Sequence, residues 1–269
     1  MGRIDQAFAV RKSAGNKVLV AYLCVGDPDE KESVELACAA ADAGADVLEL
    51  GCPFSDPTAD GPAIARASQR ALAKGGGLAS TLRVARAVRD RHEVPIVLFG
   101  YYNPLFVKGE AAAADAAADA GVDAFLVVDL PLDESHGLRT ACARRNVGVV
   151  PLLAPTSTDA RVASVRDMAA RFPVPFVYYV SMTGVTGGAG AASVLSAAGA
   201  RAAAIRDATA LPTVVGFGID SSERAKLVAG PADGVVVGSA LVRRIEEGKS
   251  PDARVSGVRD ILRDLRAVL

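Results

Sequence analysis

Eight short β-branched or apolar runs recur along the chain, each followed by a stretch with helical character. The runs fall at residues 18–25 (VLVAYLCV), 46–51, 95–101 (PIVLFGY), 124–129 (AFLVVD), 148–153, 176–181 (FVYYVS), 213–217 and 234–237 (GVVV). Helices are expected over 29–43, 63–73, 78–91, from the third strand through 120, and over 133–145, 159–171 and 191–208. One more starts at Ser221, and a last one covers 255–269. The alanine-rich stretch 110–121 reads as a close-packed helix rather than as low complexity. Strands that alternate with crossover helices pair in parallel. No segment between them reads as a linker, so the 269 residues are expected to form a single domain. Eight such units in about 250 residues fit an α/β fold of the (β/α)8 TIM-barrel type, with an extra N-terminal helix from the charged, amphipathic start MGRIDQAFAVRKSAGNK. An open doubly wound sheet would want G-x-G-x-x-G after its first strand. Val25-Gly26-Asp27-Pro28 does not supply it.

Charge and cysteine usage exclude several functions. Lys+Arg 30 against Asp+Glu 31 leaves a net charge of -1, with no basic patch dense enough for nucleic acid. Cys24, Cys38, Cys52 and Cys142 lie far apart, and only His92 and His136 could assist them as ligands. Free thiols in a reducing cytoplasm are the simpler account, and no metal site is expected. The N-terminus does not read as a signal sequence, and no apolar run approaches the ~20 residues of a membrane span. A soluble, cytoplasmic protein is expected.

The chemistry concentrates in residues 47–62, VLELGCPFSDPTADGP. Alternation along the second strand sends Val47, Glu49 and Gly51 one way and Leu48 and Leu50 the other. A glutamate inside an apolar strand is held by burial toward its neutral form, which suits a group exchanging protons near neutral pH. The loop that follows is stiffened by prolines and carries Asp60, then Gly61-Pro62 marks a helix start. The plainer alternative is that Glu49 pairs with an arginine and Asp60 caps the next helix. In a barrel the active site gathers at the C-terminal strand ends. Those exits present Glu49 to Asp60, Tyr101-Tyr102-Asn103-Pro104, Asp129 and Tyr178, then three glycine-rich turns. The turns, 183–188, 216–218 and 238–239, suit a phosphate, because glycine lets backbone N–H groups approach an anion at helix N-termini. Gly187, Gly218, Gly238 and Ser239 are the expected phosphate donors. Aromatic residues are only 5% of the chain, yet Tyr22, Phe99, Tyr101, Tyr178, Tyr179 and Phe217 lie on strands or at their ends. They suggest a flat apolar ligand.

The run LELGCPFSDPTADGPAIARAS resembles the signature of the tryptophan synthase alpha chain family, matching G-x-P-F-S-D-P-x-A-D-G-P without a break through Pro62. The resemblance extends from Tyr22 to Ser239. It implies retro-aldol cleavage of indole-3-glycerol phosphate to indole and glyceraldehyde 3-phosphate, without metal or organic cofactor. On that analogy Glu49 protonates the indole ring carbon and takes up the side-chain hydroxyl proton, while Asp60 stabilises the charge at the indole nitrogen. Tyr178 helps hold the site. Tyr22, Phe99, Tyr101, Leu126 and Phe217 align with the indole pocket, and Thr186 with the family's mobile-loop threonine. The family also implies a pyridoxal-phosphate beta chain as partner, in an alpha2beta2 tetramer.

The sequence departs from bacterial relatives at Met182, where an arginine is usual in S-R-A-G-V-T-G, and at Cys24 and Cys52 beside the site. The first departure bears on the loop and the partner contact, not on the chemistry. A stand-alone lyase releasing free indole is the alternative function, and a catalytically silent barrel that only activates its partner is a third. A Schiff-base aldolase would need a lysine at a strand end, and Lys17, Lys108 and Lys226 are badly placed for it.

Overall fold

A computed structural model of the chain describes residues 2–180, 191–216 and 218–269. The first half runs α1 (Arg3–Ser13), β1 (Val18–Cys24), α2 (Glu30–Asp42), β2 (Val47–Gly51), α3 (Pro62–Leu72), α4 (Leu78–Arg89), β3 (Ile96–Gly100), α5 (Tyr102–Lys108), α6 (Glu110–Asp119) and β4 (Ala124–Val127). A 3-10 turn (Leu132–Glu134) leads into α7 (His136–Ala143), β5 (Gly148–Val149), β6 (Leu152–Leu153), α8 (Asp159–Ala169) and β7 (Val177–Val180). The chain then forms α9 (Ala191–Thr209), β8 (Thr213–Gly216), α10 (Ser222–Ala229), β9 (Gly234–Val237), α11 (Ser239–Glu247) and α12 (Pro251–Arg266).

All strand pairs are parallel, in the order β5-β4-β3-β2-β1-β9-β8-β7-β6. The two ends of that order are consecutive in the chain, so β5 and β6 are halves of one stave. Proline 151 has no N–H to give a ladder, and the stave divides there. Val150 donates its N–H to Phe125 on one side at 2.8 Å, while the Pro151 carbonyl accepts from Tyr178 on the other at 3.0 Å. The ring therefore closes into the eight-stave barrel that the alternation of strands and helices predicts.

Side-chain alternation sorts the apolar residues into two layers. Val18, Val20, Val47, Val97, Leu126, Val150, Val214 and Val236 fill the barrel interior, and Ile4 and Phe8 of α1 join the same cluster. Phe8 meets Phe176 at 5.6 Å between ring centroids, so the extra N-terminal helix plugs the barrel. Leu19, Ala21, Leu48, Leu50, Ile96, Leu98, Phe125 and Val235 point outward and pack with the helices. Each large apolar side chain so buried contributes ~1.5–3 kcal/mol.

Three aspartates repeat one job at the entry to the strands. Asp46, Asp123 and Asp233 each precede a strand and accept an N–H from the first two residues of a neighbouring one, Leu19 (2.9 Å), Ile96 (2.8 Å) and Thr213 (2.9 Å). Arginines from helices then bind the same carboxylates. Asp46 takes Arg11 of α1 and Arg266 of α12, tying both ends of the chain to β2. The sequence reading missed this pattern, although an aspartate stands immediately before each of the three strands.

Three local expectations are corrected. The helix expected through 120 breaks at Gly109, whose φ of +86° is a left-handed conformation that favours glycine. Residues 148–153 are two strands rather than one. The bounded helix expected after the eighth strand, 255–269, is preceded by a further one over Ser239–Glu247, whose N-cap Gly238 offers no side chain to mark the start in sequence.

Candidate active site

Glu49 lies on β2 between Tyr22 of β1 and Val97 of β3 in register. It is 1% exposed, and neither carboxylate oxygen has a hydrogen-bond partner among the described residues. Burial pushes its carboxyl up from 4.5 to about 8, so it is chiefly protonated at neutral pH. The arginine pairing considered from sequence is not formed. A buried polar group left unpartnered is costly, and such groups concentrate where a ligand or a reaction satisfies them.

Around Glu49 the strand ends are shaped by two close approaches. A Cβ at Gly51 would overlap the Tyr22 phenol, and one at Gly216 would overlap that of Tyr178. Glycine at these positions lets both rings lie across the sheet toward the barrel axis. Tyr22 packs edge-on against Phe99 at 5.1 Å and 79°. Burial raises both phenols well above their ordinary range, with the charge of Glu49 a lesser contributor to each. Both therefore stay neutral.

Glu49, Tyr22, Phe99 and Tyr178 share a cavity of about 380 Å³ with Ala63 and Ile64 of α3, Ile219, and Val236 of β9. Gly218, Gly238 and Ser239 line it as well. Gly218 has φ +73°, Gly238 is the N-cap of α11, and Ser239 is its first residue. The first N–H groups of a helix have no acceptor within it, and an anion there gains ~0.3–1 kcal/mol from an exposed helix end. The structure thus brings three of the four expected phosphate donors to one cavity with Glu49. Gly187, together with Thr186 and Phe217, lies outside the described residues.

Asp60 and Tyr101 form a second group at the loop after β2. The Tyr101 hydroxyl accepts the Ala59 N–H at 2.9 Å, and its ring stacks on Phe54 at 4.9 Å and 24°. Burial pushes the Asp60 carboxyl up to about 6, opposed by a hydrogen bond with Tyr101. Asp60 does not cap α3 with its side chain, whose N-cap is Gly61. Neither Asp60 nor Tyr101 is among the described lining of the Glu49 cavity, although Gly61 and Pro62, directly after Asp60, are. Leu126 is fully buried in the interior cluster against which Phe99 and Tyr178 pack, and it is not among the described lining of the cavity. The sequence reading missed Ile64, Ile219, Arg66 and Arg243. A helical repeat from Pro62 and from Ser239 would have pointed to the residues on α3 and α11.

A closed (β/α)8 barrel holding a buried, unpartnered carboxyl in a cavity at the C-terminal ends of its strands has the construction of a barrel enzyme. The sequence profile of one family, tryptophan synthase alpha chain, matches residues 8–266. The tryptophan synthase alpha chain of Burkholderia thailandensis is 45% identical over 270 residues, spanning 100% of this chain and 97% of the relative. That of Geobacter sulfurreducens is 48% identical over 247 residues, 91% of each. Among solved structures, tryptophan synthase subunit alpha from Legionella pneumophila superposes with a TM-score of 0.88 at 33% identity, covering 100% of this chain and 98% of the other. An aminoacrylate-bound tryptophan synthase from M. tuberculosis gives 0.86 at 30%, covering 100% and 99%. The chain belongs to the tryptophan synthase alpha-chain family.

Proposed function

We propose that this chain cleaves indole-3-glycerol phosphate to indole and glyceraldehyde 3-phosphate, acting as one barrel domain and as the alpha chain of tryptophan synthase. The single observation that carries the reading is Glu49: a buried, unpartnered carboxyl, protonated near neutral pH, on the wall of an aromatic cavity with an anion-accepting rim. Glu49 donates its proton to C3 of the indole ring, and the positive charge moves to the ring nitrogen. Asp60, ionised above about pH 6, stabilises that charge electrostatically. The Glu49 carboxylate then takes the proton of the hydroxyl on the adjacent side-chain carbon. As that O–H becomes a carbonyl, the carbon–carbon bond breaks and its electron pair returns to the ring. Glu49 ends as it began, and the ring carbon has gained the hydroxyl proton. Tyr22, Phe99 and Tyr178 hold the ring from the strand side, while Gly218, Gly238 and Ser239 take the phosphate. Thr186, Gly187 and Phe217 complete the site in this reading. No metal or organic cofactor takes part.

The partner is a tryptophan synthase beta chain, in an alpha2beta2 assembly. The chain works in the cytoplasm, a reading supported by four buried free cysteines and by the lack, among the described residues, of any helix long and apolar enough to cross a membrane. Indole release from purified chain, measured with and without an added beta chain, tests the proposal. Expected is slow release alone and marked stimulation on complex formation. Full turnover alone with no stimulation overturns the alpha-chain role in favour of a stand-alone lyase, and no indole under either condition overturns the reaction.

A further inference from the structure

Among the described residues two cations line the Glu49 cavity, Arg66 of α3 and Arg243 of α11. Arg66 is already neutralised: its Nε and Nη2 donate to the two oxygens of Glu246 at 3.0 and 2.8 Å. The same carboxylate accepts from Arg70 at 2.8 Å, and Arg66 first, then Arg70, hold its pKa down at about 2. Arg70 in turn grips the buried Asp27 with both Nε and Nη2. Arg243 takes no share in this network. It is exposed, and among the described residues it has no hydrogen-bond or ion-pair partner.

Its place on the helix gives that free charge a direction. Arg243 stands four residues after Ser239, so the two share a face of α11, and helical side chains lean toward the N-terminus. A long guanidinium at this position reaches back over the first turn, whose N–H groups have no acceptor within the helix and whose Gly238 and Ser239 line the cavity. Those groups and Gly218 supply only partial charge, whereas a phosphate monoester carries nearly two negative charges at neutral pH. The buried, unpartnered Glu49 carboxyl in the same cavity marks it independently as a ligand site.

We propose that Arg243 supplies the full positive charge that makes this site select a phosphorylated substrate, binding the phosphate monoester alongside Gly218, Gly238 and Ser239. The inference rests on the reaction assigned under Proposed function. The salt bridges from Arg66 to Glu246 and from Arg70 to Asp27 and Glu246 keep the neighbouring cations off the ligand, so charge recognition falls to one side chain. Arg243 acts on binding and not on the proton transfers.

The test compares wild type, R243Q and R243K on indole-3-glycerol phosphate and on its dephosphorylated counterpart, with inorganic phosphate as a competitive inhibitor. For R243Q the preference in kcat/KM for the phosphorylated substrate falls about tenfold at low ionic strength, the size of one charge-assisted contact near a solvated rim. The loss appears in KM more than in kcat. The inhibition constant of inorganic phosphate rises in step, R243K recovers more than half of the preference, and the salt dependence of KM flattens. A preference that changes by less than threefold in R243Q, or equal losses on both substrates, overturns the role of Arg243. Wild type that releases no indole overturns the reaction instead, so the two failures are told apart.

Discussion

Replacing Glu49 by glutamine keeps the shape of the side chain and removes its ability to titrate, so it separates function from stability. In the folded chain the carboxyl holds its proton up to about pH 8, against 4.5 ordinarily. Between those values the folded state binds more protons than the unfolded one, so the wild type loses stability as pH rises through that window. At 1.36 kcal/mol per pH unit, the loss is ~3 kcal/mol by pH 7 and approaches ~5 kcal/mol above pH 8. Glu49→Gln carries no such penalty. Relative to wild type it should gain on the order of 3 kcal/mol between pH 5 and pH 7, while turnover falls below a hundredth. Urea denaturation of both proteins at pH 5, 7 and 8.5, together with indole release, measures both effects. Parallel pH–stability curves for the two proteins would refute the buried-proton argument. Retention of more than a tenth of the wild-type rate would refute the acid–base role.

The same two carboxyls set the pH profile. With Asp60 required as the anion and Glu49 as the acid, kcat/KM should rise through about pH 6 and fall through about pH 8. Tyr101→Phe removes the hydrogen bond that holds Asp60 down and should move the rising limb to higher pH, and a limb that stays put contradicts the coupling. Gly216→Ala places a Cβ on the Tyr178 phenol and should cut kcat/KM at least tenfold, in line with an overpacking cost of ~1–3 kcal/mol; unchanged kinetics would mean that Tyr178 can shift freely. Asp46→Ala leaves the Leu19 N–H, Arg11 and Arg266 without their shared acceptor. It should lower unfolding free energy by ~2–4 kcal/mol, and a loss under 0.5 kcal/mol in urea titration would show that the strand-entry aspartates matter little.

Much of the architecture is written in local chemistry. The alternation of apolar runs with helical stretches requires parallel pairing, and eight repeats lead to a barrel, because each strand and helix is a short-range property of its own segment. Glu49 was legible for the same reason: one acid among apolar neighbours on a strand announces burial. Gly218, Gly238 and Ser239 were legible as glycine-rich turns at the exits of the last two strands. Tertiary structure decided what depends on residues far apart in sequence. Only in the fold does strand five divide at Pro151 so that its halves bind β4 and β7. Only there do Gly51 and Gly216 make room for rings from other strands, and does Glu49 prove to have no arginine. Glu246, 180 positions from Arg66, occupies that cation, while Arg243 at the cavity has no partner among the described residues. A pattern along the chain specifies which groups are present and which way they face, whereas pKa values and ion pairs follow from distance and desolvation, which exist only once the barrel has closed.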